Sequence, residues 1–490
     1  YIMFAAVDNF PALLIWIPLL GGLFSFFLKD AKQAKSSAIV FAASSLLVLL
    51  VSMNFSGKES MQLNQVSYEW LSSIGSNFGL ILDGLTRTMS LLTAIVFLLV
   101  FILVPFDQYK DANRFYGLML LTQCGLVGVF MATDALVFYL FWELALIPVY
   151  FLASIWGGEK RIRATFKFFI YTFIGSLLML VAILYMYNKT NATSFGLSAF
   201  FNLTNTATEQ YWLFSAFFVA FAIKMPLFPL HTWQPEAYEQ SPAPVTMVLS
   251  SVMVKMGLFG LLRWIMPLFP LAVKQFNTAL LILIAIGVVY ASLVAIYQDN
   301  IKRLIAYSSI AHIGLMAMGI LTLKEVAISG ALIQMFNHGV NILALWIVAY
   351  LIEKQTGILT ISQLGGLAKK APVLSIFMLI AVLANVALPL TNAFIGEFMI
   401  FNGIYHVNKL LAAFTGLSII FSAVYSLNMV KNVFYGTESE AAALMTDIKG
   451  AQVVIFIILT VLILVVGIYP QPFFQMFSDA MGLILNRYNS

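Results

Sequence analysis

Apolar residues run along almost the whole chain in blocks of about 20, parted by short polar connections, and a block of that length crosses a bilayer core as a helix. The pattern predicts roughly fourteen membrane helices, near residues 11–28, 36–54, 86–106, 113–131, 134–156, 166–187, 212–239, 245–265, 275–297, 303–322, 325–352, 372–405, 410–434 and 451–470. Two blocks are interrupted. Pro226 and Pro229 remove backbone donors in the seventh, with Pro235, Pro242 and Pro244 close behind, and Leu388-Pro389-Leu390 interrupts the twelfth. Irregular backbone at membrane depth persists only where protein or a wet cavity surrounds it. Each break therefore predicts a polar interior beside it.

The breaks also predict an internal repeat. After three helices over residues 1–111, the blocks over 112–265 and over 272–436 form two sets of five, each with a broken fourth member. An odd number of crossings turns the second set upside down, which is the plan of inverted-repeat transporters with an ion site near the midplane. Two coincident proline kinks are the plainer alternative. Residues 437–490 supply a C-terminal transmembrane helix and tail. The expected fold class is thus an all-α polytopic membrane protein with two inverted five-helix repeats.

Composition excludes a soluble globular protein: 61% of residues are hydrophobic, only 10% are charged and the mean hydropathy is +0.95. The single cysteine, Cys124, excludes an intramolecular disulfide or a cysteine-ligated cluster built by this chain alone. With four histidines and neither an H-x-x-x-H nor a glycine-rich nucleotide motif, the chain is expected to hold no metal and no cofactor of its own.

Loop charges set an orientation. Connections assigned to the inside carry 16 Lys and Arg, among them Lys29, Lys32, Lys35, Arg161, Lys302, Arg303 and Lys431, against 6 outside, Lys58, Lys189, Lys274, Lys324, Lys409 and Arg487. Both termini are then expected on the periplasmic side of a bacterial-type inner (plasma) membrane, an organelle inner membrane being an equivalent setting. The first apolar run precedes Lys29, Lys32 and Lys35 and follows no basic region, so it reads as a retained anchor and not a cleaved signal. The net charge of +5 reflects these topology signals and calls for no nucleic-acid partner.

Charged residues inside the blocks are the candidate chemistry. A lysine near the bilayer centre costs about 2.5–3.5 kcal/mol on insertion scales, so Lys224 and Lys255 need a reason to be there. At a rise of about 1.5 Å per residue, Glu143, Lys224, Lys255, His312 and His338 lie roughly 13–20 Å into their spans, near the middle of a core about 30 Å thick. Their shared depth suggests one polar axis in the membrane plane. The bland alternatives are a structural ion pair for Glu143 and Lys224, and hydrogen-bonded core histidines for His312 and His338.

The residues that carry this chemistry also carry a family resemblance. Phe141-Trp142-Glu143-Leu144 through Ile147-Pro148, Lys224-Met225-Pro226, His231-Thr232-Trp233, Pro235-Glu236-Ala237, Lys255-Met256-Gly257, the run from Asn300 to Gly314, and Gln334-Met335 through Asn337-His338-Gly339 resemble the antiporter-like membrane subunits of respiratory complex I, the proton-pumping NADH:quinone oxidoreductase. Mrp-type cation/proton antiporter subunits share much of the pattern. Gly396-Glu397-Phe398 in the second broken helix is similar to the M (chain 4) branch, whose terminal site is a glutamate where the L and N branches typically have lysine. The chain departs from the family's usual pattern at Gln234 and Tyr238, commonly leucine and histidine, and at Pro242-Ala243-Pro244-Val245-Thr246.

The resemblance implies a proton-translocating subunit working within an enzyme complex, with NADH, FMN, iron–sulfur clusters and quinone held by other subunits and neighbouring antiporter-like subunits as partners in the bilayer. It implies that Glu143 modulates Lys224, that Lys255 is the central carrier, and that His312 and His338 bridge toward Glu397 as the hand-over site. General chemistry agrees, since burial makes a lysine readier to release its proton and a nearby carboxylate makes it less so. A subunit of an Mrp-type Na⁺/H⁺ antiporter is the competing function, and an inert membrane spacer is a second.

Overall fold

Backbone placed in hydrocarbon must satisfy its own N–H and C=O groups, and each apolar block does so as a helix. The computed structural model describes residues 9–55 and 61–489. Lys58, counted above among the outer charges, the side chain of Arg487 and both chain ends lie outside the described residues. Among those described, eleven helices are long and apolar enough to cross a membrane, and two shorter ones are apolar.

In chain order the helices are α1 (Phe10–Ser25), α2 (Ala31–Ser52), α3 (Gly84–Leu103), α4 (Ala112–Met131), α5 (Ala135–Trp156), α6 (Arg161–Lys189), α7 (Ala207–Lys224), α8 (Trp233–Gln240) and α9 (Ala243–Leu268). They continue with α10 (Pro270–Ile296), α11 (Ile301–Leu321), α12 (Glu325–Thr356), α13 (Pro372–Asn385), α14 (Asn392–Val407), α15 (Lys409–Val430), α16 (Ala451–Ile468) and α17 (Gln471–Asn489). Every expected span is helical, the seventh as α7 and α8 and the twelfth as α13 and α14. Between the pieces, Leu388-Pro389-Leu390 leaves helical geometry, with Ala387 and Leu390 at φ of 56° and 74° in the left-handed region.

Short polar side chains start the helices. Asp30 accepts from the Lys32 and Gln33 N–H groups, Asp83 from Thr86, Asn300 from Arg303 and Asn408 from Leu411, each satisfying an orphan donor of a first turn. Asp134 does more. Besides the Leu136 and Val137 N–H groups of α5, it accepts from Ser76 Oγ and Asn77 N–H. Those two donors belong to a feature that hydropathy does not anticipate, an antiparallel hairpin of β1 (Gln65–Leu71) and β2 (Ser76–Ile81) turning at Gly75, whose φ is 66°. The alternation of Val66, Tyr68 and Trp70 is strand-like, yet it lies in a stretch that a search for spans reads as a loop.

The chain forms two compact units, and it passes between them at Lys224/Met225, Lys255/Met256, Gln275/Phe276 and Phe474/Gln475. The first contains α1–α7, the part of α9 from Met256 onward, α10 as far as Gln275, and α17 from Gln475. Its packing includes close backbone approach: a Cβ on Gly125 of α4 would fall 2.4 Å from the Ala145 nitrogen of α5. Two of its cations are held by polar partners, Arg263 by Asp83 at 2.6 Å and Arg87 by Asn64 Oδ1 at 3.0 Å.

The second unit contains Met225–Lys255 and Phe276–Phe474. In it α12 is buried along the whole of its apolar length, while α15 and α16 expose most of theirs. One end of this unit is basic and tied together, by Lys302 on Glu353 at 2.6 Å, Lys369 on Glu438 at 3.1 Å, and the Ser439 N–H on the Gly365 carbonyl. The second break is buttressed by backbone. A Cβ on Gly467 of α16 would fall 2.3 Å from the Leu390 carbonyl oxygen and 2.8 Å from the Asn392 nitrogen.

Candidate functional site

In the first unit Lys224 is the last residue of α7, buried where the helix gives out. Its ammonium lies 5.7 Å from the ring centre of Trp142 and 5.6 Å from that of Phe168, within cation–π range. Glu143, one residue after Trp142 on α5, is near enough for its charge to act on Lys224. Among the described residues Lys224 Nζ and Glu143 Oε1 are both buried without a hydrogen-bond partner. No hydrogen bond joins the two groups among the described residues, and aromatic faces are the lysine's immediate surroundings. Tyr139, one turn before Glu143, faces both that carboxylate and Ser176.

The second unit joins the other four candidates in one line. Lys255 is fully buried on α9, directly after the helix widens to π geometry over Leu249–Met253. Its Nζ donates to the Ser250 carbonyl at 2.8 Å and meets His338 Nδ1 of α12 at 2.9 Å. The ring centres of His338 and His312 are 5.6 Å apart. His312 Nδ1 of α11 then meets Glu397 Oε1 of α14 at 3.0 Å. Both Nε2 atoms, on His338 and on His312, are buried without a hydrogen-bond partner among the described residues.

Each end of this line can relocate a proton by rearranging a hydrogen bond, while the two imidazoles between them are neighbours without a hydrogen bond of their own among the described residues. An N···N contact of 2.9 Å requires a lone pair on one nitrogen, so Lys255 and His338 have two arrangements that differ only in where the shared proton sits. The π bulge matters because it brings the Ser250 carbonyl to the amine, and such bulges recur at functional sites. At the far end, the imidazole and the carboxylate can likewise hold one proton between them.

Sequence reasoning carried Gln334 and Asn337 as part of a family motif and gave them no positioning role. Gln334 Nε2 donates to Glu397 Oε1 at 3.3 Å, and Asn337 Nδ2 donates to the Asn392 carbonyl at 2.7 Å, tying α12 to the start of α14. Close approach of α12 and α14 depends on two glycines: a Cβ on Gly330 would fall 2.8 Å from the Gly396 carbonyl, and one on Gly396 would fall 2.5 Å from Gln334 Oε1. Small residues at such crossings let backbones meet where lipid supplies no hydrophobic drive. Gly330→Val is expected to force α14 outward and cost about 1–3 kcal/mol, the usual scale of overpacking. Retention of activity after graded heating in detergent checks this, and parental heat resistance would show that the crossing has slack.

Comparison with known proteins now bears on this geometry. Residues 132–422, well over half of the chain, match the family described as NADH:quinone oxidoreductase/Mrp antiporter, transmembrane. The chain belongs to that family. It is 36% identical to NADH-quinone oxidoreductase subunit M of Rickettsia prowazekii over 484 residues, covering 97% of this chain and 98% of the relative. It is 32% identical to F(420)H(2) dehydrogenase subunit M of Methanosarcina mazei, with the same coverage. Among solved structures, a chain of respiratory complex I from Thermus thermophilus with bound NADH superposes with a TM-score of 0.89 at 30% identity, covering 97% of this chain and 99% of that one. The all-α, multi-pass membrane fold and the M-type complex I resemblance expected from the sequence are both supported, and the relatives are subunits of an oxidoreductase.

Proposed function

We propose that this chain moves protons as the M-type membrane subunit of a complex I-like quinone oxidoreductase. Glu143 modulates Lys224, Lys255 is the central carrier, and His338 and His312 connect it to Glu397. The observation that carries this reading is the contact series Lys255–His338–His312–Glu397, four titratable side chains in sequence within one buried unit. Buried ionisable residues in membrane helices are costly, and a row of them is hard to account for unless the protons move.

Driving force comes from outside the chain. Moving one proton against 100 mV costs about 2.3 kcal/mol, which quinone reduction elsewhere in the complex supplies. NADH or a related donor, FMN, iron–sulfur clusters and quinone belong to other subunits, and the neighbouring antiporter-like subunits are the contacts in the bilayer. The positive-inside balance favours a bacterial-type inner membrane with both termini on the periplasmic side.

Affinity purification of the tagged chain from native membranes tests the assignment. It is expected to bring down the other membrane subunits and the electron-input subunits, with donor-dependent quinone reduction. Recovery with a set of cation/proton antiporter subunits and no redox partner would replace this reading with the Mrp type.

A further inference from the structure

Beside the His312–Glu397 pair is a cavity of about 10 Å³, room for one water molecule, lined by Ser292, His312, Glu397, Ser418, Ser422 and Tyr425. Three of these come from α15, which otherwise exposes Phe414, Leu417, Ile420, Val424 and Leu427. Its buried polar side chains recur as Thr415, Ser418, Ser422, Tyr425 and Ser426, the spacing of one helix face.

Serine and threonine in membrane helices usually return their hydroxyl to the preceding turn, as Thr415 does to the Leu411 carbonyl at 2.6 Å. Ser422 does not. Its Oγ is buried on the wall of the cavity, returns no hydrogen bond to the preceding turn among the described residues, and faces the Tyr425 hydroxyl. Tyr425, close enough to feel the charge of Glu397, donates to Ser308 Oγ of α11 at 2.8 Å, and Asn385 Nδ2 of α13 donates to the same oxygen at 3.2 Å.

These groups point away from the middle of the membrane. Ser308 is seven residues into α11, about 10 Å from its start at a rise of about 1.5 Å per residue, and that start is the basic end carrying Lys302 and Arg303. Tyr425 lies six residues before Lys431, about 9 Å on the same rule, whereas Asn385 ends α13 thirteen residues, about 20 Å, from Pro372.

We propose that Ser422 and Tyr425, with one water in the cavity, form a branch of the proton path joining the His312–Glu397 pair to Ser308 and the basic end of the unit. At each hop a hydroxyl oxygen takes a proton from one side and releases its own to the other. Every relay group ends neutral, and the one proton that the pair gains or loses is given up or taken by water at the basic end, which exchanges with the Ser308 hydroxyl. The branch rests on the proton-carrying role proposed above for Glu397.

The test uses the whole complex in sealed vesicles, comparing the initial rate of proton uptake at a fixed rate of electron input. Tyr425→Phe and Ser422→Ala each remove one hydroxyl and are expected to slow uptake about fivefold, the factor that one ordinary hydrogen bond sets on a rate. Ser422→Thr restores the hydroxyl and should return uptake to within about twofold of the parent. Parental rates in both Tyr425→Phe and Ser422→Ala, alongside impaired Glu397→Gln, would overturn the branch and leave the role of Glu397 standing. Equal impairment of Ser422→Thr and Ser422→Ala would reassign the residue to packing. Parental pumping in Glu397→Gln would instead remove the role on which the branch depends.

Discussion

Lys255→Ala is expected to leave the complex assembled and to cut coupled proton pumping at least tenfold, with the loss of a positioned proton-transfer group supplying roughly 10²-fold or more at that step. Alanine takes away the side chain that meets both the Ser250 carbonyl and His338 Nδ1, at 2.8 and 2.9 Å, and so removes that link between α9 and the histidines. Lys255→Arg separates carrier from charge. A guanidinium keeps the positive charge and the donors but does not give up its proton in a protein, so arginine should pump no better than alanine. Pumping restored by arginine would mean that Lys255 works as a fixed charge. Parental pumping in Lys255→Ala, measured in vesicles against electron-input activity, would remove it from the path altogether.

At Glu397 the order of variants is the informative result: Glu397→Lys should retain more pumping than Glu397→Ala. Alanine strands His312 Nδ1 and Gln334 Nε2, two buried donors that now converge on one carboxylate oxygen at 3.0 and 3.3 Å. Each stranded group costs about 1–3 kcal/mol, and the relay loses its end. Lysine can be accommodated because Gln334 Oε1 is buried with no partner, so a half-turn of that amide presents a carbonyl to the amine. Lysine also keeps an exchangeable proton at the site. Glu397→Lys as defective as Glu397→Ala, in complexes assembled to the same level, would sink the idea of an exchangeable proton site there.

Much of the architecture was open to reading from hydropathy, because a bilayer forces every apolar block to be a helix and two prolines at membrane depth force a break. Lys224, Lys255 and Glu143 stood out for the same reason, as charges in apolar blocks. Their partners did not. Helix α12 is buried on every side, so it carries no apolar stripe from which its rotation could be inferred, and nothing in the sequence alone turns His338 toward Lys255. Gln334 stood in a family motif with no role attached, and Ser422 is neutral and common; their parts emerge only when their atoms are found beside Glu397 or on the wall of a cavity. The hairpin at residues 65–81 escaped because its alternation occupies a connection and not a span.

The contact between Gly467 and the second break has a consequence for how this chain can drift or be rebuilt. Helix α16 has the composition of a generic anchor, the kind of segment routinely exchanged between unrelated proteins. At Gly467, however, a single added carbon would fall 2.3 Å from the Leu390 carbonyl. Seventeen of its eighteen positions are open to apolar exchange as far as this contact is concerned, while one is closed even to alanine unless the broken segment shifts. A transplanted anchor would therefore fail or succeed on the placement of one glycine, however well its hydropathy matched.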